Sequence, residues 1–171
     1  MFETEIVNNF DENTIKDIVL INRSSFPAGW GPSDESEYYR EMLKNKSNIS
    51  IFLKDNGKRV GYLHAIPHNT AVEELKDDDK LMAQDTSRYY IEIVSILPEY
   101  LGKSGFSVLL EALRQELQKR GITKISMHAR VTNNFTLKVQ KKLKVTKVRR
   151  IQNWKYYNSQ EPTDYIEASF I

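Results

Sequence analysis

Eight residues between an apolar run and a leucine-rich helix hold the most suggestive chemistry of this chain: Pro98-Glu99-Tyr100-Leu101-Gly102-Lys103-Ser104-Gly105. The run before them, Tyr90-Ile91-Glu92-Ile93-Val94-Ser95-Ile96-Leu97, is rich in β-branched residues and reads as a strand. Small residues entering a helix bare several backbone N–H groups where the helix dipole is positive, a setting that suits a phosphate or pyrophosphate. Two histidines, His64 and His128, fall within strand-like segments and are candidate bases or hydrogen-bonded structural groups. No cluster of carboxylates accompanies them, so no metal is expected. Charge is unevenly spread. No acidic residue occurs between Gln118 and Gln160, a span that includes Lys138, Lys141, Lys142, Lys144, Lys147, Arg149, Arg150 and Lys155. Glu73, Glu74, Asp77, Asp78, Asp79 and Asp85 lean the other way. The basic span is either a solvated face or a surface for an anionic ligand.

A loop of this kind has two readings. Gly102-Lys103-Ser104 matches the tail of a P-loop, where lysine reaches the phosphates and serine holds magnesium. That motif needs a glycine at the place of Leu97, and bulky Leu97 with rigid Pro98 obstructs a loop that must wrap phosphate. No later apolar strand ends in an aspartate for the metal, which argues against an NTPase.

The 171 residues suffice for one domain with a real core, and a single domain over residues 1–171 is expected. With 40% hydrophobic and 28% charged residues, the composition is that of a soluble globular protein. No apolar run approaches the roughly 18 residues that span a bilayer. The acidic start, Met1–Glu5, lacks the basic start and apolar core of a secretory signal, so a cytoplasmic protein without membrane contact is expected. The absence of cysteine excludes disulfides, thiolate catalysis and cysteine-ligated zinc.

The elements that must position the loop follow from periodicity. Asp11–Ser25 reads as a helix with Ile15, Ile18, Val19 and Asn22 on one stripe and Asn13 or Thr14 as cap. Phe26–Pro32 is rich in breakers, and Ser33–Lys46 reads as a second helix capped by Ser33 or Asp34, with Tyr38, Met42 and Tyr39 inward. Ile49–Leu53 and Arg59–Ile66 flank Asn56-Gly57, a tight-turn signal for a hairpin. Residues 67–87 form an acidic insertion, either a loop or a short helix near Ala71–Lys76. After the loop, Phe106, Leu109, Leu110, Leu113 and Leu117 make one helical stripe that Gly121 ends. Ile122–Val131 is a strand, and a short helix capped by Asn133 or Asn134 turns Thr136, Val139 and Leu143 inward. Val145–Trp154 and Tyr165–Phe170 close the chain as strands around a turn at Asn158–Pro162. This order predicts an α/β chain with a mixed, mostly antiparallel sheet of six to seven strands, a central βαβ unit and helices on both faces.

The segment Ser95–Leu110 resembles the signature of the GNAT superfamily of acyl-CoA-dependent N-acyltransferases: a strand ending in a hydrophobic residue, x-Pro-Glu-Tyr, then a Gly-rich turn into a helix. Ile96, Pro98, Gly102, Lys103, Leu109 and Leu110 match the pattern, while Leu101, Ser104 and Phe106 depart from [Gln/Arg]-x-x-Gly-x-[Gly/Ala] in an ungapped alignment. A one-residue shift puts Gly105 and Ser107 at the glycine places instead. Downstream, Asn133, Thr136, Val139 and Lys142 match the family's Asn-x-x-Ala-x-x-(Leu/Val)-Tyr-x-Lys, and Gln140 stands where the family has its general-acid tyrosine.

The resemblance implies acetyl-CoA or another acyl-CoA as co-substrate. The backbone of Ile96 and Leu97 would meet it at the strand end, the amides of Gly102, Lys103, Ser104, Gly105 and Phe106 would take the pyrophosphate, and Asn133 would belong to the same cofactor site. Glu92, on the face of the strand shared with Val94 and Ile96, would be the general base; the alternative is a surface carboxylate paired with Arg88 or Arg130. Trp30, Tyr38 and Tyr39 line an acceptor pocket or form a local hydrophobic cluster, and the acidic insertion either draws in a cationic amine or is a solvated loop. The acceptor would be the primary amine of a small molecule or peptide, with a protein substrate also open, and the protein a monomer or homodimer. Two other readings stay open: a non-catalytic CoA-binding module, which Gln140 favours, and a nucleic-acid-binding protein using the basic C-terminal region with Trp154, Tyr156 and Tyr157, a partner class this pattern disfavours.

Overall fold

Seven strands and five α-helices follow one another among residues 1–156 and 159–171, the residues that the computed structural model describes. They are β1 (Phe2–Ile6), α1 (Glu12–Ser25), α2 (Glu35–Lys44), β2 (Ile49–Asp55), β3 (Lys58–Pro67), α3 (His68–Glu74), β4 (Arg88–Ile96), α4 (Gly105–Gln118), β5 (Lys124–Arg130), α5 (Phe135–Gln140), β6 (Lys144–Tyr156) and β7 (Ser159–Ser169). The sheet order is β1-β2-β3-β4-β5-β7-β6. β4 and β5 pair in parallel around α4, and the other described pairings are antiparallel. This is the mixed α/β sheet with a central βαβ unit that the element order predicts. The chain gathers into two compact units, Met1–Ala65 with Ile93–Glu116 and Ile66–Glu92 with Leu117–Ile171.

In the first unit the β2–β3 hairpin forms as expected, with Ile51 opposite Leu63 and Asn56 and Gly57 both left-handed in the turn. β1, which no periodicity announces, adds to the edge of β2 with Ile6 opposite Ile51. Five residues of an acidic segment with one polar position in the alternation are too short a signal to read. α1 is capped by Asp11, not Asn13 or Thr14. The Asp11 carboxylate accepts the Thr14 N–H at 2.8 Å, and the Thr14 hydroxyl reaches the same oxygen at 2.9 Å. The fully buried stripe of α1 is Ile15, Ile18 and Ile21, with Val19 only half-buried. α2 is shorter than its pattern suggests. Asp34 caps it at 3.1 Å from the Glu37 N–H, and Tyr39 and Leu43 are its buried residues, ahead of Tyr38 and Met42.

The start of α4 lies against this hairpin. A Cβ built on Gly105 would sit 2.6 Å from Leu53 Cδ2 and 3.3 Å from Ile96 Cδ1, so the missing side chain is what lets the helix approach the sheet. Leu109, Leu113 and Leu117 are fully buried, and the helix ends where Gly121, at φ +70°, lets the Ile122 N–H return to the Leu117 carbonyl at 3.0 Å.

In the second unit β7 lies between β5 and β6, with Ile166 opposite both Met127 and Val148. Its strands are longer than the sequence suggests. Gln160, Glu161 and Pro162 belong to β7 rather than to a turn, and Lys155 and Trp154 pair with Gln160 and Glu161. A register break between Ile151 and Trp154 sits opposite Pro162, where the ladder asks for no N–H, and this bulge is why proline is tolerated there. Tyr157 and Asn158 lie outside the described residues. The acidic insertion opens with α3, which starts at His68, before the expected Ala71, and buries Ala71 with Leu75, Met82, Tyr90, Trp154 and Tyr165.

Because Leu53 is fully buried and has little room to turn aside, Gly105→Val is expected to destabilise the protein by about 2 kcal/mol. Urea unfolding checks this, with an unchanged midpoint contradicting the packing role.

Candidate active site

The expected cofactor residues of the first unit fall together. After Leu97 the chain makes one 3₁₀ turn (Pro98–Tyr100) and then bends sharply, with Gly102 at φ +77° and Ser104 at φ +67°. These two left-handed residues flank Lys103 and lead directly into α4, whose first N–H groups have no acceptor within the helix. Leu101 to Ser104 are exposed, while Gly105 is buried beneath them. The Lys103 ammonium lies 5.2 Å from the centre of the Tyr100 ring. At the strand end the picture differs from the expectation for Leu97. Its N–H donates to the Val60 carbonyl at 2.9 Å and is committed to the sheet. Successive strand N–H groups point to opposite edges, so the Ile96 N–H points away from β3. The Ile96 carbonyl accepts the Ser25 hydroxyl at 3.1 Å.

Glu92, Asn133 and Gln140 belong to the second unit. Glu92 is half-buried on β4. The parallel ladder runs from Arg88 opposite Lys124 to Ile91 opposite Met127, one residue short of Glu92. Arg88, one of the partners considered for Glu92, pairs with Asp85 at 3.3 Å and Glu167 at 3.2 Å, and Arg130 pairs with Glu161 at 2.8 Å. The Asn133 side-chain carbonyl accepts the Phe135 N–H at 2.9 Å and thereby starts α5 behind a left-handed Asn134. Gln140 is exposed at the end of α5.

Three histidine-centred groups that the sequence did not assemble stand out. His128 Nε2 donates to the Asp79 carboxylate at 3.0 Å, and its Nδ1 accepts the Tyr90 hydroxyl at 2.9 Å. The ring stacks on Trp154 at 4.2 Å between centroids, and Arg149 reaches the same Asp79 oxygen at 2.5 Å. Burial opposes charge on Asp79, but the bonds from His128, Arg149 and the Leu81 N–H outweigh it and hold the carboxyl at about 2. Burial keeps the Tyr90 phenol well above its ordinary range and His128 below its own. In the first unit His64, fully buried, places Nδ1 2.7 Å from the Ser50 hydroxyl, and burial drives its pKa to about 3. His68, which the sequence gave no reason to single out, donates from Nε2 to the Ala83 carbonyl at 3.0 Å and accepts the Ser126 hydroxyl at 2.7 Å. All three histidine rings are hydrogen-bonded to neighbouring groups. Among the described residues no group of three or more histidines and carboxylates is arranged to hold a metal.

The acidic insertion divides its charges: Asp79 turns inward to His128 and Arg149, Asp85 holds Arg88, and Glu73, Glu74, Asp77 and Asp78 stay exposed. In the basic span Trp154 is buried against His128 and offers no face to a base, which removes one of the stacking residues considered for nucleic acid; Tyr157 lies outside the described residues.

The family model for the GNAT acetyltransferases matches residues 15–143. The chain belongs to this GNAT family. No curated protein matches it significantly. Solved structures with the same fold include the ribosomal-protein-S18-alanine N-acetyltransferase of Escherichia coli, with a TM-score of 0.67, 15% identity and coverage of 99% of this chain and 94% of that one. An aminoglycoside 6′-N-acetyltransferase complexed with coenzyme A gives a TM-score of 0.70 at 13% identity, covering 99% and 97%. The PaiA N-acetyltransferase of Thermoplasma acidophilum, also with coenzyme A, gives 0.59 at 15% identity, covering 99% of each chain.

The loop's glycine and serine have distinct backbone roles. Ser104, at the place of a family glycine, adopts a left-handed conformation that costs an L-residue roughly 1–2 kcal/mol and glycine little. Gly105, the alternative, is instead required by Leu53 and Ile96.

The buried histidines of this GNAT domain set its acid sensitivity. Their folded pKa values lie below the unfolded value near 6.5, so the unfolded chain binds more protons and stability falls as pH drops below about 6.5. Asp79 and Asp85, held at about 2, add a second loss as pH falls below their unfolded value of about 3.8. Unfolding followed from pH 7.5 to 4.5 should show stability falling below about pH 6.5, with His64 contributing about 1.4 kcal/mol per pH unit there. His64→Gln should flatten the slope in that window, and an unchanged slope contradicts the assignment.

Proposed function

We propose that this GNAT protein is an N-acyltransferase that moves an acetyl or other acyl group from acyl-CoA to a primary amine of a small molecule, peptide or protein. The observation that carries the reading is the turn from β4 into α4. Left-handed Gly102 and Ser104 present main-chain amides at the start of a helix, on a chain that matches the family over residues 15–143. These features fit acyl-CoA. The Ile96 N–H would meet it at the strand end, the amides of Gly102 to Phe106 with the Lys103 charge would take its pyrophosphate, and Asn133 would contribute from the start of α5. Leu97 would line the site without its N–H, which Val60 holds.

Bound acyl-CoA supplies an activated acyl carbon and a sulfur leaving group. An amine arrives at neutral pH largely as ammonium and must lose a proton before it can attack; Glu92 is the group we assign to take it, directly or through a water. A main-chain donor at Ile96 suits the negative charge that develops on the acyl oxygen. Gln140 offers an N–H but no titratable proton, so as the carbon–sulfur bond breaks the second proton shed by the attacking nitrogen reaches sulfur directly or through solvent.

At about one hundred times its Kd, acetyl-CoA should raise Tm by about 5–10 °C. Across an amine panel monitored by thiol release, Glu92→Gln should lower kcat about 100-fold while leaving the acetyl-CoA shift intact. Tight binding without thiol release from any amine would favour the non-catalytic module. Absence of a thermal shift would remove the acyl-CoA reading altogether.

A further inference from the structure

The last three residues before the loop are each held by a different partner. The Ser95 hydroxyl donates to the Asn22 side-chain carbonyl on α1, and the Asn22 amide donates to the Tyr39 hydroxyl on α2 at 2.8 Å. All three side chains are buried. The Ile96 carbonyl accepts the Ser25 hydroxyl at 3.1 Å, and the Leu97 N–H donates to Val60 on β3 at 2.9 Å. The peptide plane between Ile96 and Leu97 is therefore gripped at both ends, its carbonyl by a helix and its N–H by a strand. In the preceding plane, strand alternation puts the Ser95 carbonyl on the β3 side, 3.1 Å from where a Cβ on Gly61 would sit, and the Ile96 N–H on the other.

We propose that Ser25 is a positioning residue for acyl-CoA, fixing through the Ile96 carbonyl the peptide planes that aim the Ile96 N–H at the ligand. The assignment rests on the acyl-CoA reading above and adds to it a residue that no motif marks. Its position suits the task. Ser25 is the last residue of α1, half-buried, and its hydroxyl also reaches the Ile21 carbonyl of its own helix at 2.6 Å, so the single proton is shared between helix and strand. Asn22, one turn earlier, anchors the same helix end to Ser95. Ser25 and Asn22 thus tie the end of α1 to the end of β4 by two hydrogen bonds. Loss of that hydroxyl leaves the buried Asn22–Ser95–Tyr39 network in place but frees one face of the Ile96–Leu97 plane.

The test measures acetyl-CoA binding by titration calorimetry on wild type, Ser25→Ala, Ser25→Thr and Ser25→Cys, with Tm recorded for each. Ser25→Ala should weaken acetyl-CoA about five- to tenfold with Tm within about 2 °C of wild type, since one hydrogen bond is lost at a half-buried site. Ser25→Thr, which keeps the hydroxyl, should restore the wild-type Kd. Ser25→Cys, of similar size and a weak donor, should fall between them and serves if the alanine variant fails to fold. A lower Tm with unchanged Kd in the Ala or Cys variant assigns Ser25 a structural role only and overturns the proposal. Failure of the wild type to bind acetyl-CoA overturns the underlying reading and this proposal with it, whereas wild-type binding that no Ser25 variant alters sinks this proposal alone.

Discussion

A main-chain N–H that is to hold a ligand must be withheld from the sheet while its strand end stays fixed. Buried polar groups otherwise find partners or cost free energy. β4 meets the second demand at Ile96, and strand alternation turns its N–H away from β3. Its neighbour Leu97 bonds Val60, its carbonyl takes the Ser25 hydroxyl, and Gly61 lets the Ser95 carbonyl and the Ile96 side chain pack close to β3. The loop that follows depends on this anchoring. A bend built from two left-handed residues stores strain at Ser104, and such strain persists only where the flanking structure over-determines it. Gly105 supplies the other flank by packing its bare backbone against Leu53 and Ile96.

In the second unit buried polar groups do structural work of a different kind. Beside the apolar packing of Ala71, Leu75 and Met82, the acidic insertion is secured by Asp79 on His128 and Arg149, by His68 on Ser126, and by Asp85 on Arg88. A carboxylate held near 2 beside a neutral imidazole is stable at neutral pH because each group has its hydrogen bonds satisfied. Sequence composition reads the same segment as a negative patch, and only part of it is one.

The fold was legible where periodicity was long and local signals agreed. The Asn56-Gly57 hairpin, the leucine stripe of α4 and its stop at Gly121 all follow from residue pattern. Legibility failed where tertiary context decided. β1 is a short edge strand, Pro162 sits within β7 only because a bulge in β6 spares it a hydrogen bond, and Asp11 captured a cap that nearer polar residues also suited. The site was half legible. The strand–loop–helix and its glycines stand in the sequence, but Leu97 and Ile96 look equivalent there, and only the Val60 bond separates them. Ser25, Asn22 and Ser95 carry no motif at all; residues 70 and more positions apart meet through packing that no spacing rule encodes.

The central claim is that main-chain amides at the end of β4 and the start of α4 grip the co-substrate. Hydrogen–deuterium exchange with and without saturating acetyl-CoA reads those amides directly. Slowed exchange concentrated in residues 96 and 102–106 is the predicted result. Unchanged exchange across these residues, with acetyl-CoA bound and protection appearing elsewhere, would contradict the account.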